Sequence, residues 1–378
     1  MANNGHALLS ASASHRWLNC PPSARLGEFI EDKESEFAKE GTDAHELCEI
    51  KLKEALGTQG QIKMPTLVYY NQEMEDSAKG YVIFVLELLK EIKETCKDPI
   101  VLIEQKIDYS KYVKDGFGTV DLMVVADDTL HIIDFKYGKG VPVDAYENPQ
   151  MKLYSIGGLE IFDGIYDIKK VSMTIYQPRL SNISTFEITK DDLYNWAENT
   201  LKPIAKQAYK GEGEFKCGEW CRWCKCKDTC RKRAEEKMAI ASLEFKEPPL
   251  LEDEEIIEIL NKVDGLVEWA NDVKDYALRC AINGKKWTGY KLVEGRANRK
   301  YTNDSDVIKA VTEAGHDPFE KKLLSITEMQ KRLGKTLFSD LLGNLIIKPA
   351  GKPTLVLESD KRPEINTAKQ DFMTTEEN

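Results

Sequence analysis

Two aspartates and a lysine occupy adjoining stretches that alternate like β-strands: Asp121 in GTVDLMVVA, and Asp134 with Lys136 in LHIIDFKY. Residues 119–126 read as one strand, Asp127, Asp128 and Thr129 as the turn, and residues 130–137 as the returning strand. Side chains alternate faces along a strand, so Asp134 and Lys136 point one way while Phe135 points into the opposite layer. Asp121 is placed to approach Asp134 across the ladder. Charged groups interrupting an apolar hairpin are costly to bury unless they bind a cation or one another. Two carboxylates with an ammonium beside them suit a hard divalent metal held by oxygens.

A second constellation is the segment CGEWCRWCKCKDTC, which holds Cys217, Cys221, Cys224, Cys226 and Cys230. Thiolates packed so closely repel one another unless a soft metal neutralises them. An iron–sulfur cluster and zinc are the candidates, and spacing alone leaves both open. Further upstream, Cys20 precedes Pro21 and Pro22. Cys48, Cys96 and Cys280 read as packed helical residues.

The elements that must position these groups follow from periodicity. Apolar spacing from Thr42 onward (Ala44, Leu47, Cys48, Ile50, Leu52, Leu56) predicts an amphipathic helix with Thr42 as N-cap and His45 in its first turn. Residues 76–95 form a second helix. Residues 100–109 read as a strand carrying Glu104, which is either an extra acid near the site or an exposed edge charge. Gln150 and Tyr154 are four apart and share a helix face. Residues 170–177 and 184–189 are further strands, and 190–210 a helix. The order helix, three strands, helix, strand describes an α/β core.

Gly118-Thr-Val-Asp121, Asp134-Phe-Lys136 and Gln150-x-x-x-Tyr154 together resemble the PD-(D/E)xK nuclease superfamily, specifically its RecB-like branch. Gly41-Thr-Asp-Ala-His45 resembles the first motif of that branch. The resemblance implies a restriction-endonuclease-like core with a mixed central sheet flanked by helices. It implies that Asp121, Asp134, His45 and the Phe135 carbonyl hold Mg²⁺ or Mn²⁺, that Lys136 helps activate water, and that Gln150 and Tyr154 border the DNA. Several RecB-like nucleases, the CRISPR-associated iron–sulfur exonucleases among them, carry one cysteine before these motifs and three after. Cys20, Cys221, Cys224 and Cys230 match that pattern and imply a [4Fe–4S] staple. A zinc site using Cys217 with the last three is the alternative.

Composition agrees with a folded protein. The chain has 378 residues, 42% hydrophobic and 31% charged, enough for two or three domains. No uninterrupted apolar run could span a bilayer, and the N-terminus lacks signal-peptide blocks, so no membrane association and a cytoplasmic location are expected. The net charge of −11 argues against a uniformly basic nucleic-acid coat, leaving local patches to track phosphates. Nine cysteines with a crowded subset suit a metal site in a reducing compartment.

The domains expected are residues 1–240 as the nuclease-like unit, 250–283 as a helical connector and 284–378 as a small α+β unit. In the last, Lys285, Lys286, Lys291, Arg296, Arg299 and Lys300 are interleaved with Trp287, Tyr290 and Tyr301, a pattern that suits either single-stranded DNA or a strand pair with a solvated basic face. Helices are expected over 304–315 and 325–334, and a strand over 354–357. This layout resembles an uncharacterised phage and prophage family of RecB-like proteins. The expected activity is therefore metal-dependent hydrolysis of DNA, single-stranded or at duplex ends, by an exonuclease in phage recombination or DNA processing. A phage single-strand-binding or annealing protein is the expected protein partner. The rival expectation is a non-catalytic DNA-binding subunit on the same scaffold, or a zinc-stapled interaction protein.

Overall fold

The computed structural model describes residues 7–28, 30, 35–57, 66–241, 252–294, 301–319 and 323–347. The chain divides into two compact units, Met1–Leu292 and Val293–Asn378. In the first, two short helices, α1 (Ser14–Asn19) and α2 (Ser23–Leu26), precede the long helices α3 (Glu36–Ala55) and α4 (Gln72–Thr95). Strands β1 (Ile100–Asp108), β2 (Phe117–Ala126) and β3 (Thr129–Phe135) follow, then helix α5 (Pro149–Phe162), β4 (Lys170–Gln177) and β5 (Asn182–Thr189). Helices α6 (Lys190–Trp196) and α7 (Lys202–Lys210) are joined by a π-turn over Ala197–Leu201, so the helix expected over 190–210 is continuous but wider in the middle. Helices α8 (Arg231–Ala241) and α9 (Asp253–Ile282) complete the unit.

The five strands form one mixed sheet in the order β1-β2-β3-β4-β5. All neighbours are antiparallel except β3 and β4, which are parallel and joined by α5 as crossover. Helix α5 covers one face. Asn148 caps it by accepting from the Gln150 and Met151 amides, and Pro149 occupies its first turn, where no amide bond is lost. It is buried nearly all round, and Gly157 and Gly158 let it press onto the sheet. A Cβ on Gly157 would lie 2.8 Å from Ile107, and one on Gly158 2.9 Å from Leu130. On the other face, α3 and α4 cover β1 to β3 through Leu47, Leu52, Met74, Tyr81 and Val85 against Leu122, Val124, Ile133 and Phe135. The result is a helix–sheet–helix sandwich.

Helix α3 starts earlier than the apolar spacing predicts. Ser35, accepting from the Ala38 amide, is its N-cap, whereas Thr42 lies inside it with its hydroxyl bonded to the Ala38 carbonyl. The first turn, Glu36 to Lys39, is exposed throughout, Phe37 included, so it adds no core-facing residue to the apolar period that starts at Ala44.

The second unit contains α10 (Asp304–Glu313), α11 (Ile326–Leu333) and α12 (Lys335–Leu342), and no strand among its described residues. Residues 354–357, Arg296, Arg299 and Lys300 lie outside the described residues. Of the basic and aromatic stretch, Trp287 folds back to donate to the Ala277 carbonyl of α9 (2.9 Å), with the Lys285 ammonium 4.1 Å from its ring centre, while Tyr290 and Tyr301 are exposed. No helix among the described residues is long and apolar enough to cross a membrane.

Candidate active site

Asp121 on β2, Asp134 on β3 and Lys136 just past β3 converge near the start of α5, where Gln150 and Tyr154 stand on one face. Asp134 is 2% exposed. The Lys136 Nζ lies 2.8 Å from its Oδ2, and Gln150 Nε2 donates to its Oδ1 at 3.0 Å. The same Gln150 nitrogen approaches the Tyr154 hydroxyl (3.2 Å), and its oxygen accepts from Lys136 (3.3 Å). Gln150 thus joins acid, amine and phenol. Gly118 gives the Tyr154 ring its place, since a Cβ there would stand 3.1 Å from the ring edge.

Asp121 is held from two sides. Its Oδ2 accepts from the Phe135 amide at 2.7 Å, and His45 Nδ1 lies 3.4 Å from Oδ1. His45 projects from the middle of α3, and its ring meets the Phe135 ring edge-on at 5.3 Å. Phe135 therefore contributes its N–H to the acid and its side chain to the opposite layer.

Electrostatically the two acids diverge. Burial raises the Asp121 pKa, but the His45 imidazole, Lys136 and the Phe135 amide outweigh it and hold the group below the usual carboxylate value. Burial, together with the Asp121 charge, pushes Asp134 up despite Lys136. Burial would lower His45, yet the Asp121 carboxylate wins and its pKa rises; Lys136 rises for the same reason, through Asp134. Neighbouring acids pushed apart in this way are the pattern of an acid–base site.

Glu104, the acid whose role the sequence left open, joins this neighbourhood. Burial, then the charges of Asp121 and Glu49, raise its pKa to about 7. Arg179 is a residue that sequence reasoning missed. Its guanidinium, 4.5 Å from the Tyr137 ring centre, reaches Glu40 of α3 at 3.2 Å and Glu73 of α4 at 2.9 Å. From the turn after β4 it thereby ties α3 and α4 to each other and to Tyr137, just past β3. Only the charge of those partners could have signalled it, and they lie more than a hundred residues away.

Among the described residues, no group of three or more histidine, cysteine or acidic side chains is drawn together to hold a metal ion as it stands. The four carboxylate oxygens of Asp121 and Asp134 are instead occupied by His45, the Phe135 amide, Gln150 and Lys136. The donor set nonetheless fits a hard divalent cation: two carboxylates, an imidazole, and a buried Asp134 Oδ2 that accepts no hydrogen bond and is held only by the Lys136 charge.

Cys20, Cys221, Cys224 and Cys230 line one small cavity of ≈ 20 Å³, together with Arg16, Lys227 and Arg233 among others. Burial raises the Cys224 pKa, with the Arg16 charge working against it. Lys227 and Arg233 are in turn anchored on Asp272 of α9, at 2.7 and 2.5 Å. Cys217 does not line the cavity, but its sulfur lies 3.8 Å from that of Cys221. Cys226 is buried and donates to the Leu26 carbonyl. The four thiols suit a soft metal or cluster by chemistry; each is a free thiol in this structure.

Among known proteins, the family described as "Protein of unknown function (DUF2800)" matches residues 6–363. The protein described as "Crystal structure of SSO0001" is 13% identical over 58% of this chain and 96% of its own, with a TM-score of 0.24, a likeness too slight to bear on fold or function.

Proposed function

The chain belongs to the DUF2800 family, and we propose that it is a metal-dependent DNA nuclease, an exonuclease acting on single strands or duplex ends. The observation that carries this reading is the meeting of Asp121, Asp134, Lys136, Gln150 and His45 at one end of the sheet. That constellation supports membership of the PD-(D/E)xK superfamily, which its motifs resemble.

Asp121, Asp134, His45 and the Phe135 carbonyl would hold Mg²⁺ or Mn²⁺. When bound, such an ion would supply Lewis acidity towards the phosphate and the attacking water. Lys136 orients that water and offsets the charge developing on the phosphate. Gln150 keeps Asp134 and Lys136 in register, bonded to both through its amide. Tyr154 supports Gln150 from one turn further along α5 and borders the DNA strand.

Cys20, Cys221, Cys224 and Cys230 would hold a [4Fe–4S] cluster, with zinc as the alternative. Its role is structural: it fastens the N-terminal segment to the end of the α/β core. A cytoplasmic setting, where thiols stay reduced, suits such a centre.

The test is cleavage of 5′- and 3′-end-labelled single- and double-stranded DNA in Mn²⁺, comparing the natural chain with Asp121→Ala and Lys136→Ala. Loss of cleavage in both variants is expected. Full cleavage by either variant sinks the assignment.

A further inference from the structure

Strands β4 and β5 have two unlike faces. Towards α5 they turn Val171, Met173, Ile175, Phe186 and Ile188 into the core. The opposite face carries Lys170, Ser172, Thr174, Thr185 and Glu187, and α4 covers only its margin. Between that polar floor and the Phe84, Leu88 and Ile92 wall of α4 lies a groove of ≈ 660 Å³, within the range of ligand pockets. It is at the β2–β3 turn end of the sheet, away from Asp134.

Pairing aligns His131 with Ser172, and Ser172 with Glu187, so imidazole, hydroxyl and carboxylate stand in one row across three strands. Ser172 is only 6% exposed and lines the groove, and its hydroxyl makes no hydrogen bond to any described residue. Its neighbour Thr174, by contrast, is bonded to Thr185 at 3.0 Å. Burial lowers the His131 pKa, leaving a neutral ring with a free lone pair at neutral pH. Four carboxylates, Glu91, Asp127, Asp128 and Glu187, border the groove against the single ammonium of Lys170, which already pairs with Glu187 at 3.1 Å.

Such a surface is rich in acceptors, negative, and walled on one side by an aromatic and two aliphatic side chains. Phosphate is repelled by it. A planar, donor-only cation that tolerates an apolar neighbour complements it, and that is a guanidinium rather than the more strongly hydrated ammonium. We infer that this groove docks an arginine side chain presented by a partner protein, the guanidinium donating to Ser172, His131 and Glu187 and resting against Phe84. The site is independent of the nuclease reading and of the residues that carry it.

The test uses the full chain and a short fluorescein-labelled peptide with one arginine between leucines, followed by fluorescence anisotropy at low salt and neutral pH. Saturable binding is expected, and it weakens about tenfold, the scale of one charge-assisted hydrogen bond, when citrulline or lysine replaces the arginine. Glu187→Gln and Ser172→Val lower the affinity by a similar factor with melting temperature unchanged, while Asp134→Ala keeps it. Equal binding of the citrulline or lysine peptide, affinity unchanged in both groove variants, or no saturable binding of the arginine peptide overturns the proposal.

Discussion

Glu104 faces Asp121 across the β1–β2 ladder. Ile103 pairs with Leu122 and Gln105 with Val120, and between them Glu104 departs from the ladder with a left-handed φ of 51°. A non-glycine residue held there in mid-strand is strained, and such strain gathers at functional positions.

The first prediction follows from that pair. The folded Glu104 has a pKa of about 7 against an ordinary 4.5, so between those values the native state holds a proton that the unfolded chain has lost. Stability therefore falls as pH rises through this window and levels off above it. Glu104→Gln removes the slope and stabilises the protein above pH 7 by on the order of 1 kcal/mol, after discounting for partial exposure. Urea unfolding across the window measures it; parallel curves for the two proteins contradict it.

A second concerns metal. If Asp121 and Asp134 exchange their internal partners for a divalent cation, Mn²⁺ at about 100 times its dissociation constant adds about 2.7 kcal/mol to stability. Thermal melts should rise by several degrees with Mn²⁺, return with chelator, and stay flat in Asp121→Ala. A rise that persists undiminished in that variant places the ion elsewhere.

The cysteines separate into two groups. Protein purified without air should absorb near ~400 nm as iron–sulfur proteins do, and Cys20→Ser or Cys221→Ser should bleach it. Cys217→Ser should keep the colour, because Cys217 does not line the cavity. A colourless natural protein carrying one zinc by elemental analysis decides for the alternative.

Arg179→Met leaves Glu40 and Glu73 facing each other without their shared cation. Removing one partner of a buried ion pair costs about 3–5 kcal/mol, and the exposure of Glu73 trims that to about 2–3 kcal/mol here. Denaturant titration gives the value. A change below about 0.5 kcal/mol, typical of surface sites, would show that Arg179 does not clamp α3.

The hairpin carrying Asp121 and Asp134 was legible because two short apolar, β-branched runs flank an Asp127-Asp128 turn, the signature of strands buried on both faces, and Gln150 and Tyr154 because one helix turn separates them. The long helix α9, which fills the connector expected over 250–283, runs from Asp253 to Ile282 and stops where Asn283-Gly284 breaks it. The start of α3 was illegible because its first turn is exposed on every side, so even Phe37 joins no core-facing period, and its cap, Ser35, lies seven residues before Thr42. Arg179 was illegible for a different reason. An ion pair between residues this far apart exists only once the fold does. Glu104 shows a middle case: its strand was plain, but the backbone turn that aims it came from tertiary packing.

The parallel pairing of β3 with β4 has a temporal consequence. The ribosome delivers β1, β2 and β3 first, and they zip up by adjacent turns, whereas α5 is clasped against the sheet only after β4 has been threaded alongside β3. A nascent chain thus carries both acids before it owns the roof that aligns Gln150 with them. The grouping of Asp121, Asp134, Lys136 and Gln150 is therefore completed only once β4, Lys170–Gln177, has been made, and the order of synthesis sets the order of its assembly.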